Sequence, residues 1–189
     1  MSGRVERLLP DDISALVELH AVYLDYGDGI APHFAAVLRN AENVCLKYVS
    51  ENGGMGGLIV YVKGIELSGG HRDLRERIEE MTGGAPTYTC DAVLLRKRHR
   101  GGGVSPLLYA RAKEELLRKG AKYVLHELWV WPDGTVPARR LPSVFGETTE
   151  LGLFENFYKD FDHYGYHCPI CRGKCVCSAC LCLSKVAAA

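Results

Sequence analysis

The stretch 93–104 reads Val-Leu-Leu-Arg-Lys-Arg-His-Arg-Gly-Gly-Gly-Val. Three successive glycines let a backbone pass close to a ligand and turn its N–H groups toward one point. A helical pattern starts at Val104, and a helix N-terminus adds unpaired donors and the positive end of a dipole. Together these make an anion site, and Arg96, Lys97, Arg98 and Arg100 lend it charge suited to a phosphorylated ligand. A plain glycine turn with a solvated basic rim stays open as an alternative. No Gly-Lys-Ser/Thr ending follows, which excludes a nucleoside-triphosphate loop. The dinucleotide fingerprint also fails, because its glycines are spaced more widely and follow an early strand.

Cysteine supplies the second pattern. Six of the eight cysteines lie between Cys168 and Cys182. Cys168 and Cys171 form a CxxC pair, Cys175 and Cys177 a CxC pair, with Gly173 in the turn between them. Four thiolates so arranged close a tetrahedral zinc site at about 2.3 Å per bond, and a site with four cysteine ligands has no position open to substrate, so its role is structural. Strand parity sends Cys180 and Cys182 to the opposite face, where they are expected as small core residues. A reduced cluster without metal, an iron–sulfur cluster and disulfides are the alternatives.

The elements that must position these residues follow from periodicity. Segment 5–9 is a strand expectation closed by Pro10, and apolar residues at spacings of three and four predict a helix from Ile13 to about Leu24. A shorter helix is expected around 32–38. Strands 44–50 and 58–67 flank the Glu51-Asn52-Gly53-Gly54 turn as an antiparallel hairpin. Segment 71–82 has the pattern of an exposed amphipathic helix, 88–95 of a strand, 104–119 of a helix and 122–130 of a strand. That last strand–helix–strand unit requires a parallel pair. A loop over 131–149, a helix over 150–161 and a final hairpin with arms 164–169 and 177–186 complete the reading. The chain is expected to be a single mixed α/β domain over residues 1–189, with 168–182 as a zinc-knuckle candidate inside its final hairpin.

Composition bounds the function. A chain of 189 residues that is 47% hydrophobic and 24% charged has the make-up of a globular domain. Its 23 basic residues balance 23 acidic ones, so no overall field attracts nucleic acid, and no apolar run is long enough to span a bilayer. The first residues lack the apolar core of a secretion signal, so the expected location is cytoplasmic with reduced thiols.

The segment Arg98-His99-Arg100-Gly101-Gly102-Gly103 resembles the pyrophosphate-binding pattern of the GNAT superfamily of N-acetyltransferases: Arg or Gln, two residues, Gly, one residue, then Gly or Ala. The family places this pattern after its fourth strand and before its central helix, which agrees with the order expected here over about 5–186. The resemblance implies a mixed, mostly antiparallel central sheet flanked by helices, ending here in a Cys-rich hairpin. It implies acetyl-CoA as cosubstrate, its pantetheine arm on backbone groups of Val93 and Leu95. Its pyrophosphate would meet Arg98, Arg100, Gly101, Gly102, Gly103 and Val104. It further implies direct attack of an amine on the thioester, without an acyl-enzyme.

In many family members a tyrosine on the helix after the fifth strand protonates the leaving thiolate. Tyr158 is the expected counterpart, although it precedes Gly165-Tyr166 by seven residues where the family has four, and Phe161 holds the usual spacing. Of His126 and Glu127, on the strand where the family's cleft opens, only one faces the cleft, and Glu127 is the expected base. Cys45 and Cys90 lie in apolar strands and are expected as packed thiols rather than nucleophiles. The function expected is N-acetyl transfer from acetyl-CoA to a primary amine, with structural zinc and an open possibility of a homodimer. The rival is a non-catalytic CoA-binding or zinc-knuckle interaction module on the same fold.

Overall fold

A computed structural model describes residues 3–23, 29–68, 71–131, 133–136, 138–159, 168, 170–172 and 175–187. Seven strands form one sheet in the order β1-β2-β3-β4-β5-β7-β6. They are β1 (Gly3–Arg7), β2 (Val44–Ser50), β3 (Met55–Lys63), β4 (Thr87–Leu95), β5 (Tyr123–Val130), β6 (Thr148–Phe154) and β7 (Ser178–Lys185). Among the described residues four helices flank them: α1 (Ile13–Ala21), α2 (Ile30–Arg39), α3 (Arg72–Thr82) and α4 (Val104–Arg118). Every pair of neighbouring strands is antiparallel except β4–β5, which is parallel because α4 carries the chain back across one face.

Burial of apolar stripes fixes the two layers. On one face Leu108, Tyr109, Ala112 and Leu116 of α4 pack on Ile59, Tyr61, Tyr88 and Val124 of the sheet, with Phe145 from the loop after β5. On the other, Leu16, Leu19, Phe34 and Val37 of α1 and α2 cover Cys45, Leu58 and Val60. Farther along that second face, Leu74 and Ile78 of α3 close over Leu125, Leu181 and Leu183. The Arg72–Glu76 and Arg75–Glu79 pairs on α3 are exposed and contribute only tenths of a kcal/mol, so this helix is held by its buried residues Leu74, Ile78 and Thr82. Among the described residues no helix is long and apolar enough to cross a membrane.

The end of the chain departs from its periodicity. Of the helix expected over 150–161, the part up to Phe154 is instead strand β6 with a turn following to Lys159, and β6 pairs with β7, which forms where the 177–186 arm was expected. Residues 164–167 and 169 lie outside the described residues. The spacing of Leu151, Phe154, Phe157 and Tyr158 suits a helix, but β7 offers this segment a full backbone ladder. A bulge between Glu150 and Gly152 turns Leu151 into the core under α3 and leaves Glu150 opposite Cys182. Cys168, Cys171, Cys175 and Cys177 therefore lie in the connection from β6 to β7.

Close approach of β3 to the end of β4 depends on Gly57. A Cβ there would meet the Leu95 side chain and stand 2.7 Å from the Leu94 carbonyl. Gly57→Ala should cost about 1–3 kcal/mol in urea unfolding, as overpacking does; a loss of only a few tenths would show that β4 has room to move.

Candidate functional site

Bonding between β4 and β5 covers only Thr87–Tyr123, Tyr88–Val124 and Thr89–Leu125. Beyond it the strands separate, and a cleft of about 240 Å³ opens between them on the α1/α2 face. A bulge displaces Asp91, because Tyr61 pairs with Cys90 while Val60 pairs with Ala92. The Arg96 N–H donates to Gly56 O at 2.9 Å. By the alternation of an antiparallel ladder, Leu94 and Ala92 then also bond β3, while Val93 and Leu95 turn their N–H and C=O groups toward the separated strand. The β4 edge facing the cleft thus presents unladdered backbone groups at those two residues.

This edge leads through a short 3-10 turn, Lys97–His99, to the glycines. Gly101 and Gly103 have φ of 72° and 78°, a left-handed conformation that a β-branched residue would strain. Residues 100–103 form a turn, and among the described residues the amides of Gly101, Gly102, Gly103 and Val104 make no backbone hydrogen bond of good geometry as the chain enters α4. The basic side chains diverge from the loop. Arg96 bonds Met55 O and Glu18, Arg98 lies beside His99, and Arg100 stacks over the Tyr23 ring at 4.7 Å while bonding Leu95 O. What the loop offers an anion is therefore backbone N–H groups and a helix end, a donor set that fits a pyrophosphate.

Across the cleft stands Glu127, while its neighbour His126 faces the α4 side, buried against Tyr61, Tyr109 and Phe145. Burial pushes Glu127 up to about 7, against the pull of the Ser68 N–H that donates to its Oε1 at 2.8 Å, and nearby Asp91 adds to the rise. Burial lowers His126 to about 3, so it is neutral. Thr89 fixes the segment that carries Ser68: its hydroxyl donates to Gly64 O and accepts from Glu66 N. Glu66, Ser68, Asp91, Trp129 and Tyr158 also line the cleft. Asp91 bonds His33 of α2 at 3.1 Å, chiefly through which the imidazole is held above its ordinary value. Sequence reasoning missed Glu66, Asp91 and Trp129, since neither the bulge nor the separation of the strands leaves a local pattern.

Tyr158 sits in the turn after β6, edge-on to Phe157 at 5.1 Å, and not on a helix after β5. His71 stacks on Phe157 and donates to its carbonyl. Phe161 lies outside the described residues. The loop after β5 crosses the other face, where Val136 and Ala138 cover Leu128, Val130, Cys180 and Cys182. Burial pushes both Cys45 and Cys90 up to about 12, which leaves them unreactive thiols.

The sulfurs of Cys168, Cys171, Cys175 and Cys177 all lie within 4.8 Å of one another. Cys177 Sγ is 3.7 Å from that of Cys168 and 3.5 Å from that of Cys171. Sulfurs bound to one tetrahedral zinc stand about 3.8 Å apart. The Cys171 N–H points at Cys168 Sγ and the Val176 N–H at Cys171 Sγ, donors that suit thiolates better than thiols. Burial pushes the Cys177 thiol up to about 11, with the Trp129 indole pulling the other way, and the buried Trp129 Nε1–H has no hydrogen-bond partner among the described residues. This donor set fits a thiophilic metal.

No family model and no curated protein sequence matches the chain. Solved structures do match its fold. The ribosomal-protein-S18-alanine N-acetyltransferase of Escherichia coli aligns at TM-score 0.64 and 13% identity, over 100% of this chain and 96% of that one. A GNAT superfamily phosphinothricin acetyltransferase from Sinorhizobium meliloti, in complex with AcCoA, aligns at 0.65 and 13%, over 98% and 89%. Arabidopsis thaliana NAA60, in complex with a bisubstrate analogue, aligns at 0.66 and 12%, over 100% of both chains. The fold is that of the GNAT N-acetyltransferases.

Glu127 makes the site's electrostatics measurable. Its folded pKa of about 7 lies above the ordinary 4.5, so the stability from its protonated form is full below 4.5 and is lost as pH rises through 7. Glu127→Gln should therefore match the parent in acid and gain about 1–3 kcal/mol over it near pH 8. An equal effect at both ends of that range would show that the carboxyl titrates normally.

Proposed function

We propose that this protein is an acyl-CoA-dependent N-acetyltransferase that passes an acetyl group from acetyl-CoA to a primary amine by direct attack. The observation that carries the reading is the continuity of the site. The unladdered backbone edge at Val93 and Leu95 leads through the 97–99 turn to the amides of Gly101–Val104, and Glu127 lines the same cleft as Val93. The β4 edge suits the amides of a pantetheine arm, and the glycine loop with the N-terminus of α4 suits a pyrophosphate. Bound there, acetyl-CoA supplies an activated thioester carbonyl.

The chain's own groups then position the amine and move protons. Glu127, half ionised near neutrality, accepts the proton that the amine must shed as the C–N bond forms. Tyr158 is the group on the cleft wall that can return a proton to the sulfur as the C–S bond breaks. With Glu66, Asp91 and Glu127 on one cleft, a cationic amine is the favoured acceptor. Neighbours named for acceptors as different as a ribosomal protein's alanine and phosphinothricin share the fold, so acceptor choice rests with these side chains. The four-cysteine cluster holds a structural zinc in this reading, which suits a cytoplasmic setting where thiols stay reduced.

One observation favours the rival reading of a non-catalytic CoA-binding module. Tyr158 stands in the β6–β7 connection, whereas the family's tyrosine stands on a helix after the fifth strand. Turnover of acetyl-CoA across a panel of amines separates the two. Activity should rise with pH through about 7, and Glu127→Gln should flatten that limb. Tyr158→Phe should lower kcat by about 10²-fold with CoA affinity unchanged, as for loss of a positioned acid. No turnover above background with any amine would leave only the binding module.

Metal content tests the knuckle. Protein purified without chelator should carry about one zinc per chain and release it as pH falls, because the thiols must lose protons to bind it. Cys171→Ser should lose the metal and Cys182→Ser keep it, since Cys182 is buried with Leu128 and Val130 on the opposite face. Metal-free parent protein would leave a cluster of packed thiols.

A further inference from the structure

We propose that the cysteine knuckle is a wall of the acceptor side of the cleft, so that its zinc fixes the position of Trp129 and Tyr158 while the CoA-binding edge stands without it. The inference rests on the zinc reading given above and adds to it a role in acceptor binding.

Packing carries the argument. Cys168, Cys175 and Cys177 are buried in one cluster, and the residues packed against that cluster are Trp129, Tyr158 and Cys171. Trp129 and Tyr158 are also lining residues of the cleft, so a single layer of side chains separates the sulfurs from the site. Among the described residues of the knuckle, Cys168, Cys175 and Cys177 are the buried ones. Its apolar side chains Ile170 and Val176 turn outward, 43% and 57% exposed, and so offer little burial to offset the entropy of ordering the connection. Metal–thiolate bonds are what remains to hold it against Trp129, which packs on the cysteine cluster.

The other side of the cleft has separate supports. Val93 and Leu95 are fixed by the β3–β4 ladder, and the glycine loop by α4, which packs on β2 and β3. In the sheet, β7 and the knuckle that precedes it lie beyond β5, on the far side of the opening from β3. Losing the metal should thus loosen the wall that an amine would touch and leave the edge that CoA would touch.

The test uses the full-length protein. Trp129 and Trp131 are its two tryptophans, and the exposed Trp131 can be replaced to leave Trp129 as sole reporter. In Trp131→Phe protein, removing zinc with a chelator should raise acrylamide quenching of Trp129 about twofold or more, as expected for a shielded indole released by local opening. The thermal shift given by CoA should persist in the same sample. Cys177→Ser should reproduce the chelated state, and Cys182→Ala, changed on the opposite face, should behave as the zinc-loaded parent. Zinc lost with Trp129 quenching unchanged would overturn this inference and leave the zinc reading standing. Loss of the CoA shift together with the zinc would also overturn it, by making the metal a support of the whole fold. Absence of any bound metal from the parent would remove both.

Discussion

The parallel pair β4–β5 loses its backbone bonds after Thr89 and Leu125, and the site depends on that divergence. Unpaired N–H and C=O groups in a sheet interior are costly unless something bonds them. At Val93 and Leu95 the groups that β5 would have met turn toward an opening instead, and of these the Leu95 carbonyl takes the Arg100 Nε–H. The Asp91 bulge sits at the start of this opening, where one extra residue in β4 places a carboxylate in the cleft. Just past the end of the strand, left-handed glycines and the start of α4 provide a second set of unbonded donors. A ligand with hydrogen-bonding amides at one end and phosphates at the other matches both sets.

The two-residue period of the strands sorts the remaining chemistry. On β5 it puts Glu127 and Trp129 in the cleft, and His126 and Leu128 under the opposite layer. The consequences are opposite in sign for the adjacent pair. Glu127 is raised into the range of a working base, whereas His126 is driven neutral and hydrogen-bonds the Tyr61 hydroxyl as a core residue. Cys180 and Cys182, inside β7, pack with Leu128 and Val130, whereas the four knuckle cysteines precede the strand and cluster beside Trp129 and Tyr158. A tail that looks like one cysteine-rich segment therefore serves both faces of the sheet.

Much of this was legible in the residues because local signals and tertiary packing agreed. The stripe on α4, the hairpin from β2 to β3 and the glycines before Val104 each point to the element that forms. Agreement ended at β6, where Leu151, Phe154, Phe157 and Tyr158 have helical spacing but the open edge of β7 recruits the segment as a strand. The cleft was half legible. Strand parity limited the choice between His126 and Glu127, but the side depended on where the strands separate. Glu66 and Asp91 left no trace, because the Thr89 hydroxyl that pins one and the bulge that displaces the other are products of tertiary pairing.

Amide hydrogen exchange with and without CoA tests the central claim most directly, since it reads the backbone groups on which the account rests. CoA should slow exchange at Val93 and Leu95 and across 101–104, while Leu94, bonded to β3 in either state, should stay equally slow. Unchanged exchange at these amides under saturating CoA, or protection confined to another part of the sheet, would contradict it.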